Sequence, residues 1–114
     1  MARYGLSSQR RWSVQELRDL RAHLAGCEPA GVMLRKLNAG EIFHIWDSDA
    51  YGLDQDVSDH LDGILRELGR LVSRYPDLRC HYAPSATDAW EMVPAEVLKN
   101  LLASDRLIRE QLDR

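Results

Sequence analysis

Cysteine is scarce in this chain: Cys27 and Cys80 are its two, with no CxxC spacing between them. That leaves neither a disulfide framework nor a thiolate metal motif, and both read as plain thiols. Long apolar runs are missing as well, since nothing approaches the roughly 18 consecutive apolar residues of a membrane span. The opening MARYGLSSQRRW carries basic residues with no apolar stretch behind them, so a standard signal peptide is not expected and the chain reads as cytoplasmic. GxSxG, HExxH and the P-loop are absent too, which removes the usual sequence markers of a nucleophile elbow, a zinc protease or a nucleotide site, and no cofactor is expected.

One further scarcity is regional. Residues 41–67 hold a single basic residue, Arg66, against eight carboxylates: Glu41, Asp47, Asp49, Asp54, Asp56, Asp59, Asp62 and Glu67. Residues 1–40 reverse the balance, with seven Arg or Lys against three carboxylates, while the chain as a whole carries −3. An acidic field of this kind repels nucleic acid and attracts basic proteins.

What is present fits one globular domain over 1–114, with residues 1–12 as a possible flexible basic arm. Trp12-Ser13-Val14-Gln15-Glu16-Leu17 combines a capping box with a hydrophobic staple, and the spacing of Leu17, Leu20 and Leu24 predicts a helix over 14–25. Residues 31–47 read as a β-hairpin turning at Asn38-Ala39-Gly40, with Gly40 at positive φ; two short helices are the rival reading. Val57, Leu61, Ile64, Leu65, Leu68, Leu71, Val72 and Tyr75 share one helical face, predicting a helix over 58–74 that stops before Pro76. Strands over 78–83 and 89–93 flank a turn at 84–87, and a last helix starts at Pro94 with a break near Ser104, because Asp105 falls on its apolar arc. The expected fold is α+β, in the order α-β-β-α-β-β-α, with helices packed on a small, mainly antiparallel sheet; an all-α bundle is the alternative.

Two opposed surfaces compete for the functional reading. Asp54, Asp56 and Asp59 suit the positive end of the central helix and Asp62 its solvent side, but Glu41, Asp47 and Asp49 extend the acidic field beyond what the helix explains, and Asp47, Asp49, Asp54, Asp56, Asp59 and Asp62 together form the candidate patch. Carboxylates spread along a loop and helix imitate the charge of a phosphate backbone, so these six residues suit the cationic cleft of a nuclease or nucleic-acid-binding complex, with Trp46, Tyr51 and Trp90 as candidate aromatic anchors. In size and charge the chain is similar to small acidic inhibitors such as immunity proteins and anti-CRISPR proteins, which implies blockade of a basic partner.

The alternative is a nucleic-acid-binding regulator working through Arg10, Arg11, Arg18 and Arg21. Arg10 to Leu17 resembles the start of the first helix in Myb-like helix-turn-helix domains, where a Trp precedes an acidic helical start. The next Trp here is Trp46, and an Asp-rich segment stands where that family carries a basic recognition helix.

Metal and enzyme readings rank below both. Asp47-Ser48-Asp49-Ala50-Tyr51-Gly52 matches a calcium loop at its first, third and sixth positions, but Tyr51 and Ser58 stand where oxygen-rich ligands are required. Cys80 and His81 are adjacent on a predicted strand and therefore point to opposite faces, which excludes a dyad.

Overall fold

The computed structural model describes residues 2–24, 26–48 and 57–112. Its described elements run β1 (Arg3–Ser7), α1 (Val14–Ala22), α2 (Ala30–Ala39), β2 (His44–Asp47), α3 (Val57–Arg74), β3 (Arg79–Ala83), β4 (Glu91–Val93) and α4 (Ala95–Leu112). The α+β class stands, with an antiparallel sheet in the order β2-β1-β3-β4. The element order is β-α-α-β-α-β-β-α, which departs from the expected one at two places.

The first departure is β1, which lies inside the span read as a flexible arm and runs through the middle of the sheet. A five-residue strand with glycine at its centre has little strand propensity. What holds it is burial, because Tyr4 and Leu6 face the helices and are fully buried. Gly5 has the opposite duty: a Cβ there would lie 3.0 Å from Ile42 Cγ2 and 3.2 Å from the Trp90 ring, so only a glycine lets those side chains cross β1 this closely.

The second departure is α2. The segment 30–39 is helical, burying Met33 and Leu37 one turn apart. The glycine expected at positive φ is there, with φ +74°, but it closes a helix instead of turning a hairpin. Gly40 N–H donates to Leu37 C=O at 3.3 Å and Glu41 N–H to Lys36 C=O at 2.9 Å, the pair of bonds of a Schellman cap. Only the second half of the expected hairpin, β2, is a strand, and it pairs with β1.

The remaining helices follow their sequence signals. At the start of α1, Ser13 Oγ accepts from Glu16 N–H and Glu16 Oε1 from Ser13 N–H, each at 3.2 Å. Asp19 on α1 then receives the Arg74 guanidinium at 2.6 and 2.8 Å and the Tyr75 hydroxyl, fastening α1 to the end of α3. α3 buries Leu61, Ile64, Leu68 and Leu71.

α4 continues through Ser104 without the expected break. Asp105 is tolerated on the inner arc because the Tyr4 hydroxyl donates to its Oδ2 at 3.1 Å, giving a carboxylate near the core the partner it needs. No described helix is long and apolar enough to cross a membrane. The register places Tyr4, Leu6, His44, Trp46, Cys80 and Tyr82 on the helix-covered face of the sheet and Gly5, Ile45, His81 and Met92 on the other.

Candidate binding surface

The acidic segment spans the connection from β2 to α3. Asp47 ends β2 and is half-buried, Asp59 is exposed in the first turn of α3, and Asp62 follows one turn later. One contact joins β2 to α3 across that connection: His60 Nε2 lies 2.8 Å from the Asp47 carbonyl oxygen. The first turn of α3 is thereby held against the end of β2, and Asp47 and Asp59 belong to one region of the surface. Asp49, Tyr51, Asp54 and Asp56 lie outside the described residues. Asp62 is engaged within the fold, as its Oδ1 lies 3.1 Å from Arg106 Nη1 on α4.

Trp46 does not serve as an exposed anchor. It sits opposite Tyr4 in the register, turns toward α3 and is 8% exposed. A side chain on the covered face of a sheet packs into the core whatever its chemistry. Trp90 is half-buried, with the Arg3 guanidinium 4.6 Å from its ring centroid.

The arginines of the alternative reading divide. Arg10 is spoken for: it binds Asp77 Oδ2 at 2.6 Å, pairs with Glu16 and stacks 3.9 Å from the Trp12 ring centroid. Arg21 is half-buried, its Nε directed at Cys27 Sγ at 3.4 Å. Arg11 and Arg18 are exposed.

Two polar pairs escape detection from the sequence because their partners are far apart in the chain. On the covered face, His44 Nε2 stands 3.6 Å from Glu67 Oε1, with side chains 10% and 8% exposed. His44 also meets Trp46 edge to face at 4.7 Å. On the opposite face, Ser7 Oγ and His81 Nε2 are 2.7 Å apart. Burial, with a smaller contribution from Arg79, pulls the His81 imidazole below its ordinary value.

Ser7 and His81 have the separation of a nucleophile and its base, yet Ser7 is only 3% exposed. A hydroxyl shielded in this way is placed to satisfy a buried polar group rather than to attack a substrate. His81 and Cys80 do lie on opposite faces, as strand alternation requires. Cys80 is buried, which pushes its thiol up to about 11, although Lys99 nearby acts in the other direction. Among the described residues no group of three His, Cys, Asp or Glu side chains could hold a metal ion.

Two adjoining clefts run beside this region. One, of about 310 Å³, is bounded by Gly26, Cys27, Glu28 and Lys36 on one side and residues 42–45 on the other. The next, of about 250 Å³, continues past His44, Ile45, Trp46 and Asp47 to His60 and Glu67. No protein-family model matches the chain, and comparison with curated proteins and with solved structures finds no similar protein. Function is therefore argued from the surface itself.

Proposed function

We propose that this chain is a small acidic binding protein of the cytoplasm that neutralises a basic partner, with a nuclease or a nucleic-acid-binding complex as the partner class. The observation that supports the reading is the His60 to Asp47 carbonyl contact, which holds the first turn of α3, with Asp59, beside the end of β2, with Asp47. Neighbouring like charges of this density repel one another, and a cationic partner relieves that repulsion. Blockade is then electrostatic and steric: the carboxylates occupy positions that phosphates would take in the partner's cleft. The arginine surface supports nucleic-acid binding less well, because Arg10 is already held by Asp77 and Glu16.

The test is capture from host lysate by the wild type beside a variant in which Asp47, Asp49, Asp54, Asp56, Asp59 and Asp62 are all changed to Asn. Recovery of a basic protein by the wild type alone is the expected result. Equal recovery by the Asn variant, once its fold is verified by circular dichroism, would contradict the proposal. Recovery of nucleic acid that depends on Arg11 and Arg18 would move the function to those arginines.

A further inference from the structure

On the outer side of α3 the exposed positions Asp59, Gly63, Arg66, Arg70 and Ser73 follow one another at alternating steps of four and three residues. That is the repeat of a helical seam, and it lies on the side of α3 away from the buried Leu61, Ile64, Leu68 and Leu71. Neighbouring charges are already matched, Arg74 by Asp19 and Asp62 by Arg106. Asp59, Arg66 and Arg70 are not: among the described residues none of the three has an ion-pair partner.

Glycine inside a helix is destabilising relative to alanine, and no packing within the fold requires one at position 63. Nothing lies within 4 Å of a Cβ built there, and Gly63 lines a cleft of about 410 Å³ with His60, Glu67 and Arg70. The stripe therefore carries an unmatched anion near its start, two unmatched cations further along, and open space between them.

We infer that a second copy of this chain pairs with this stripe, α3 against α3, antiparallel about a two-fold axis level with the Ile64 to Leu65 peptide. Charge sets the direction. A parallel pair would bring Asp59 onto Asp59 and Arg70 onto Arg70, whereas the antiparallel pair sets Asp59 of each copy against Arg70 of the other. The same register lays Arg66 of each copy over Gly63 of the other, where the missing side chain leaves room for its stem.

The contact is small. From Asp59 to Arg70 the seam covers about 16 Å of one helix. A lasting dimer buries roughly 800 Å² per copy, and exposed ion pairs are individually weak. Self-pairing is therefore transient, populated at high protein concentration and low salt. It does not rest on the proposed basic partner, although both use Asp59.

Sedimentation equilibrium at about 0.5 mM protein, in about 20 mM and about 500 mM NaCl, is the test. The wild type is expected to show a dimer fraction at low salt that falls several-fold at high salt. Asp59→Arg and Arg70→Asp each bring like charges into register and are expected to be monomeric. The double variant, and an equimolar mixture of the two single variants, restore opposite charges at both positions and are expected to recover the dimer. Dilution of the wild type is expected to shift amide resonances between residues 59 and 70, a readout that needs no variant to fold.

A wild type that stays monomeric at low salt would overturn the pairing, as would a dimer that both single variants leave intact. Loss in the single variants without recovery in the double variant or the mixture would overturn the register. Dilution shifts confined to residues outside α3 would overturn it as well. Capture of a basic partner is read separately, in the lysate experiment, so failure of one leaves the other standing.

Discussion

His81 shows how one residue on the less covered face of the sheet can set a pH response. Burial and Arg79 disfavour its cation, so the folded chain binds a proton there less readily than the unfolded chain does. Below the ordinary histidine value of about 6.5 the unfolded state then carries more protons. The contribution of His81 to stability is thus complete above that value and is lost as pH falls through the lowered folded value. Thermal unfolding of the wild type and of His81→Gln between about pH 7.5 and 5 checks this. The wild type is expected to lose more stability on acidification, and parallel losses would contradict it. The thiols give a second residue-scale prediction. Cys27 is exposed and Cys80 is buried with its thiol raised to about 11, so a thiol reagent at pH 8 is expected to modify Cys27 in the folded protein and Cys80 only in denaturant.

At the scale of elements, glycines divide by backbone conformation. Gly40 closes α2 at φ +74°, where a Cβ is strained, so Gly40→Ala is expected to destabilise by about 1 kcal/mol. Gly69 lies inside α3 with nothing within 4 Å of an added Cβ, and Gly69→Ala is expected to stabilise by about 0.5–1 kcal/mol. Melting temperatures moving in opposite directions would confirm the pair; a fall in both would contradict the reading of α3.

The same positions show what was legible in the sequence. The positive φ of Gly40 could be foreseen, since glycine is the residue that adopts it freely, but a hairpin turn and a Schellman cap both require it, and residues 31–37 satisfy either period. α3 was plain because its apolar face repeats for five turns. β1 was hidden because Tyr4 and Leu6 act through partners far along the chain, Trp46, His44, Tyr82 and Cys80. Long-range pairing also removed Trp46 from the surface and excused Asp105 from breaking α4. The acidic segment was visible as composition, whereas the contact that closes it, His60 to the Asp47 carbonyl, is a tertiary fact that no local spacing announces.

For the whole molecule, charge is uneven along the chain, basic over residues 1–40 and acidic over 41–67, although α1, α3 and α4 each carry both signs. Several basic groups are consumed in joining elements, Arg10 to Asp77 and Glu16, Arg74 to Asp19, Arg106 to Asp62. Of the acidic segment's described carboxylates, Glu41 and Asp59 are exposed, and that segment carries Arg66 as its sole basic residue. A field of this kind acts before contact and is screened over roughly 8–10 Å at ordinary salt. It therefore belongs to the rate of encounter more than to the lifetime of the complex.

The most direct measurement is the association rate of the captured basic partner as a function of ionic strength, for the wild type and for the six-Asn variant. The account predicts a wild-type rate that falls about tenfold or more between about 50 and 500 mM NaCl, and a variant rate that is slow and nearly flat. Equal salt slopes for the two proteins would contradict it.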